Sequence, residues 1–537
     1  MIEFELNGRT VAAPIDGISL LEALRDHLGT RSVKDGCSPQ GQCGCCTVWV
    51  DGNPRVACVT PVGRVRGRRV TTVEGLDDAG TWADRFCEAG ASQCGFCTPG
   101  IVMRLAALDS GARADPDAVN RALLAHLCRC TGWQPIVEAC RATSTPSGAV
   151  PVRSLDDAAR RAALEGGTSQ TVGSGVALGR GGFADDSAPD DALVAMLGAD
   201  GDWVVAESVR EVRRATGRIQ GRRSTAPLTW PIDLRDARHD RDDDGFVARL
   251  HTTWVEPAYL EPDASWCAPG ADPVTPLANG GAFGGKVTSP VAAAARRLAD
   301  LHGRPVRVLL TREDTVRIGP KRPPVAGGIR PDGTGLLRIT RPAEPADEEL
   351  LRTGILQVAP GLDVEFVDVV GPPSSAAIRA AGWAEAALLA SAADHATGDA
   401  PITVTAPGGG SATARLDDDG AVTVSVRCGT PLDHAVLRSY CTGAAHMALG
   451  WIRSEGLAVD EHGVPLDLTI RSFGIIRAVD MPRIDVQVEA DDGPPVNGSD
   501  AVFAAVAAAA WRAAGRPERI PTRSGRAEAD LPLTSPA

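Results

Sequence analysis

The placement of the cysteines constrains this chain most. Of 14 in 537 residues, Cys37, Cys43, Cys45, Cys46, Cys58, Cys87, Cys94, Cys97, Cys128, Cys130 and Cys140 precede residue 141, and only Cys267, Cys428 and Cys441 follow. The opening "MIEFELNGRTV" alternates apolar and polar residues like a first strand, without the basic and apolar blocks of a secretory leader. A cytoplasmic protein is expected, and in that compartment such a cluster binds metal rather than forming disulfides.

Two constellations stand out. In "GCSPQGQCGCCTVWVDGNPRVAC" the candidates Cys37, Cys43, Cys46 and Cys58 are spaced C-x5-C-x2-C-x11-C. A [2Fe–2S] cluster needs four thiolates, two per iron, with backbone N–H donors near its sulfurs. Cys46 is preferred to its neighbour Cys45 because "CTVWV" then leads directly into a strand. The second constellation pairs "QCGFCTPG" with "LCRCTGW": Cys94 and Cys97 at the start of one helix, Cys128 and Cys130 at the end of another helical stretch. Zinc favours repeated C-x2-C or H-x3-H pairs and fits this spacing poorly. The spare Cys45, Cys87 and Cys140 read as small core residues.

Around these motifs, residues 1–75 read as hairpins with one helix behind Ser19, and residues 76–140 as helical segments. Residues 141–157 are rich in Ser, Thr, Pro and Gly, like a linker. The remaining 380 or so residues mix strands and helices. In them Ser289 reads as a cap, Gly303 as a helix stop, and "AVFAAVAAAAWRAAG" as a buried helix. A net charge of −13 argues against nucleic-acid binding, and no run of 18 apolar residues predicts a membrane span. The stretch "NGGAFGGKV", Asn279 to Val287, nearly spells a phosphate loop, but Val287 stands where a Mg²⁺-binding hydroxyl belongs. Its amides suit an oxygen-rich ligand, and its plain alternative is a flexible turn.

The two cysteine motifs, with "QCGFCTPG" and "CRCTG", resemble the iron–sulfur portion of the xanthine dehydrogenase and aldehyde oxidoreductase family of molybdenum hydroxylases. Two small departures are "AHLCRC", where Gly-Asn-Leu is usual, and Trp133 in place of Tyr. "GRGGFADD", "VEPAYLEPDASW", "GGAFGGK", "SSAAIRAAGWAEA" and two later blocks resemble, in order, the family's molybdenum-binding subunit. The resemblance implies an α+β multidomain chain. It would comprise a β-grasp ferredoxin domain (1–75), a four-helix-bundle [2Fe–2S] domain (76–143) and a linker (144–165). A first, hammerhead-like domain (166–240), a shortened α/β molybdopterin-binding domain (241–520) and a flexible tail (521–537) would follow.

By the same resemblance, Gln93 lies against the pterin, and Gly281, Ala282, Phe283 and Gly284 approach the cofactor. Arg379 falls near substrate or cofactor, with a surface or packing arginine as its alternative. Segments that carry a glutamine and a Gly-Gln-Gly motif are missing. Where the family has its glutamate base, "PPVNGSDAVFAAV" places Ser499, with Asp500 beside it. A serine is a poor base near neutral pH, and Asp500 reads as a substitute base or as a helix N-cap.

The resemblance implies two [2Fe–2S] clusters and a molybdopterin cofactor. The expected function is oxidation of a heterocycle or aldehyde, with electrons leaving through both clusters to a flavoprotein or other external acceptor. The alternative is an electron-transfer or assembly subunit whose shortened half docks a catalytic molybdenum partner.

Overall fold

The computed structural model describes residues 1–15, 17–142, 153–217, 221, 224–234, 245–275, 281–393 and 400–522. Strands β1 (Ile2–Leu6), β2 (Arg9–Ala13), β3 (Thr47–Val50), β4 (Asn53–Val56) and β5 (Arg69–Thr71) make one mixed sheet, ordered β2-β1-β5-β3-β4. Asn7-Gly8 and Asp51-Gly52 turn its two hairpins, all four residues at positive φ as tight hairpins require. Alternation along β1 buries Ile2, Phe4 and Leu6, and Ser19 caps the helix that follows β2, its hydroxyl accepting the Glu22 N–H at 3.2 Å. That helix widens into a π turn over Ala23–His27. A mixed sheet crossed by one helix is the β-grasp arrangement.

Helices Ala79–Glu88, Thr98–Ala106 and Gln134–Arg141 follow, with a fourth broken into Ser110–Ala114 and Pro116–Ala122. The break falls at Asp115, whose carboxylate accepts the Asp117 N–H at 2.9 Å ahead of Pro116.

Three further four-stranded sheets build the rest. The first joins β6 (Leu193–Leu197), β7 (Trp203–Ala206), β9 (Ala264–Cys267) and β10 (Val306–Leu309) in the order β7-β6-β10-β9. The second joins β8 (Ala248–His251), β11 (Val325–Ile329), β12 (Gly335–Thr340) and β13 (Leu362–Val367) in the order β13-β12-β11-β8. The third runs in chain order through β14 (Ile402–Thr405), β15 (Ser411–Leu416), β16 (Val422–Arg427) and β17 (Ile484–Val488). Helices His434–Arg453 and Ser499–Ala513 pack on one another; the second is apolar on nearly every side and almost wholly buried.

Three expectations need correction. The linker over 144–165 becomes a helix from Leu155 to Gly166, because Ser154 caps it, Asp156 and Asp157 fill its first turn and Gly167 closes it in the left-handed conformation. Residues 143–152 lie outside the described residues, as do 523–537 of the expected tail. The boundary at 240 cuts a sheet: β6 pairs with β10, and β10 with β9. Ser289 caps nothing; the helix Val291–His302 has Pro290 at its N-cap, and the Ser289 hydroxyl is buried without a partner.

Buried ion pairs join the N-terminal sheet to the β6–β10 sheet. Lys34, fully buried, pairs with Asp186, and Arg25 reaches Asp185 at 2.7 Å and Asp186 at 3.0 Å. Arg307 on β10 pairs with Asp185 and reaches Asp26 at 2.9 Å.

Candidate metal centres and the adjoining pocket

The loop between the capped helix and β3 carries Cys37, Cys43 and Cys46, and the turn after β4 carries Cys58; all four are buried. Cys37 lies in hydrogen-bonding contact with Cys43 and Cys58, and Cys58 with Cys46. The Gln40 N–H donates to Cys37 Sγ at 3.2 Å and the Cys58 N–H to Cys46 Sγ at 3.4 Å. Donation from Cys43, then Cys58, holds the Cys37 thiol well below its ordinary range. Cys45 is a fifth buried thiol that touches Cys43.

The second quartet forms two pairs. Cys94 Sγ and Cys130 Sγ are 3.5 Å apart, and Cys97, at the N-cap of Thr98–Ala106, contacts Cys128. That contact, aided by Thr131, brings the Cys128 thiol down to about 6. Paired thiolates supplied with N–H donors fit a two-iron cluster, each pair serving one iron. The quartets adjoin: the Leu127 N–H donates to the Cys43 carbonyl at 3.0 Å, one residue before Cys128. His126 is buried there with Nε2 3.1 Å from Thr47 Oγ1.

The glycine loop meets the second quartet. Asn279 and Gly280 lie outside the described residues. Gly281 has φ +88°, and a β-carbon on it would sit 2.9 Å from Cys130 Sγ and 3.2 Å from Cys94 Sγ. Gly284, at φ +91°, passes so close to the 377–378 backbone that a β-carbon would lie 1.8 Å from the Ala377 carbonyl oxygen. Lys286 is turned away from any phosphate: its Nζ is 2.5 Å from Glu261 Oε2, with both side chains buried. Burial raises the Glu261 carboxyl to about 7 against the pull of Lys286.

Phe283 has φ +45° and its ring carries the Arg379 guanidinium 3.9 Å above its centre. Arg379 is buried, which removes its reading as a surface residue. Its Nε donates to Asp500 at 2.9 Å and its Nη2 to the Ser499 hydroxyl at 2.9 Å and the Glu165 carbonyl at 3.3 Å. Asp500 is no N-cap. Gly498 holds that position, and Glu165, from the helix mistaken for linker, caps the helix instead by accepting the N–H groups of Gly498 and Ser499 at 3.1 and 2.8 Å. Arg161 holds Glu165 at 2.9 Å, both fully buried. The i, i+4 spacing of Arg161 and Glu165 is a helix signal present in the sequence.

Ala282, Phe283, Gly284, Arg379, Asn497 and Asp500 line a pocket of about 410 Å³, within the usual range for small-ligand sites. Burial raises the Asp500 carboxyl above its ordinary value, against the opposing Arg379 charge. Gln93 is buried; its Nε2 donates to the Cys130 carbonyl at 3.0 Å and to Ser439 at 2.8 Å, while its Oε1 has no partner. That orphan oxygen, the loop on the cysteine sulfurs and the adjoining pocket fit an organic cofactor that offers donors. Ser499 is fully buried and engaged by Arg379.

Residues 72–141 match the [2Fe-2S] binding domain family, so the chain is an iron–sulfur protein. It is 38% identical over 143 residues to the xanthine dehydrogenase iron-sulfur-binding subunit of Escherichia coli O157:H7, covering 25% of this chain and 89% of that one. The chain belongs to the molybdenum hydroxylase family, whose xanthine dehydrogenases and aldehyde oxidoreductases are oxidoreductases. It is 36% identical over 197 residues to the xanthine dehydrogenase of Blastobotrys adeninivorans, a match covering 33% of this chain and spanning only 14% of that protein. The aldehyde oxidoreductase of Desulfovibrio gigas superposes with a TM-score of 0.73 at 15% identity over 98% of this chain and 99% of that one, a likeness of fold. No described helix is long and apolar enough to cross a membrane.

Proposed function

We propose that this chain is an iron–sulfur oxidoreductase of the molybdenum hydroxylase type that delivers electrons from a substrate pocket to an external acceptor. Cys37, Cys43, Cys46 and Cys58 would hold one [2Fe–2S] cluster, and Cys94, Cys97, Cys128 and Cys130 the other. When bound, such clusters supply one-electron carriage. The observation that carries this reading is the Leu127-to-Cys43 hydrogen bond at 3.0 Å, which joins the ligand loops of both quartets.

Gln93, Gly281, Ala282, Phe283, Gly284 and Arg379 would hold a molybdopterin-type cofactor, which supplies oxidation of an electron-poor carbon when bound. At the pocket, Arg379 fixes Asp500 through one carboxylate oxygen. Its other oxygen is the acceptor placed for a proton, and the raised carboxyl suits acid–base exchange. Phe283 and the loop backbone shape the floor and keep water from the buried side. The substrate class that suits this reading is an aldehyde or heterocycle, the acceptor a flavoprotein or small oxidant, and the compartment the cytoplasm.

Metal content tests the reading. Purified protein should hold about four irons and four acid-labile sulfides per chain, together with molybdenum. Four irons without molybdenum would leave the electron-transfer role and favour a docking scaffold that serves a separate catalytic subunit. Stoichiometric zinc without visible absorption would refute both.

A further inference from the structure

Arg312 opens the helix Arg312–Ile318 and is fully buried. Its Nη2 donates to the Gly36 carbonyl at 2.9 Å and to the Leu260 carbonyl at 2.8 Å, and its Nε to Gly36 at 3.3 Å. Its Nη1 is buried with no hydrogen-bond partner. Among the described residues no carboxylate pairs with it: Glu313 is bound by Gln40 at 2.9 Å, and Asp314 lies 3.7 Å from Arg317. The other buried cations around this interface, Arg25, Lys34, Lys286 and Arg307, all have acidic partners. An unpaired buried charge is costly and calls for a compensating one.

Gly36 precedes Cys37. A [2Fe–2S] unit on four thiolates is a dianion when oxidised and a trianion when reduced, and its potential follows local charge and hydrogen bonding. We infer that Arg312 is a positioning residue for the first cluster: the C-terminal half supplies, as a buried guanidinium, the counter-charge that favours the reduced state. On this inference the C-terminal half sets the driving force of a cluster held wholly by N-terminal cysteines. The inference rests on the ligand reading proposed above.

The test is a redox titration of both clusters, followed by electron paramagnetic resonance, in the full chain and in R312K, R312Q and R312M. Lysine keeps the charge and loses the fork. Glutamine keeps a donor and loses the charge. The expected result is a first-cluster midpoint near wild type in R312K. In R312Q and R312M its reduction equilibrium should fall about tenfold, about 59 mV for a one-electron couple. The second cluster should stay unchanged in all three.

The inference is overturned if R312Q matches wild type, if R312K shifts as far as R312M, or if R312K fails to assemble the first cluster. A wild-type chain showing only one cluster signal would instead refute the ligand reading, so the two failures are distinguishable.

Discussion

The Leu127 amide donates to the Cys43 carbonyl at 3.0 Å, tying the residue before one quartet's Cys128 to a thiol-bearing residue of the other. The two cysteine groups, remote in sequence, are thereby parts of one backbone-linked structure. Loss of a ligand should still be local, because each quartet has its own four sulfurs. Cys43→Ser should abolish the first cluster's resonance signal and leave the second, and Cys97→Ser the reverse. Retention of both signals in either variant would show that the ligands are assigned wrongly.

The glycine loop should be coupled to one cluster only. Gly281→Ala places a methyl carbon 2.9 Å from Cys130 Sγ on a backbone at φ +88°. The second cluster's signal should broaden or vanish while the first is unchanged. Equal damage to both would indicate general misfolding instead.

Arg379→Lys should destabilise the chain by about 2–4 kcal/mol in urea denaturation, since an ammonium cannot reach Asp500, Ser499 and the Glu165 carbonyl together while stacking on Phe283. A change under about 0.5 kcal/mol, the scale of an ordinary surface substitution, would contradict that geometry.

His446 is fully buried, with Nε2 3.0 Å from the Ile476 carbonyl, and burial lowers it to about 4 from 6.5. The unfolded chain therefore binds a proton between pH 6.5 and 4 that the folded chain refuses, so stability present above pH 6.5 is lost as pH falls through that window. The upper bound of this contribution is about 3 kcal/mol. His446→Gln should flatten the stability profile there; an unchanged slope would assign the acid lability elsewhere.

Chemistry carried by short motifs was legible in the sequence. Cysteine spacing and the glycine run are local, and the structure brings them together at Gly281, Cys94 and Cys130. Partners joined across hundreds of residues were not legible. Asp500 looked like a cap because an acid before an apolar helix usually is one, yet Glu165, 334 positions from Ser499, takes that work and leaves Asp500 to Arg379. The helix carrying Glu165 was obscured by the Ser, Thr and Pro content just before it, although Ser154 and Gly167 mark both its ends. Lys286 completes the near-phosphate-loop pattern, yet its partner is Glu261, 25 positions earlier.

The Lys34–Asp186 pair bears on biosynthesis as well as on the finished molecule. During synthesis the ferredoxin-like sheet emerges first, yet Lys34 has no carboxylate until Asp186 appears, 152 positions later. At about 5–20 residues per second that interval is on the order of ten seconds. Throughout it the nascent module carries an unmatched ammonium where its neighbour will dock.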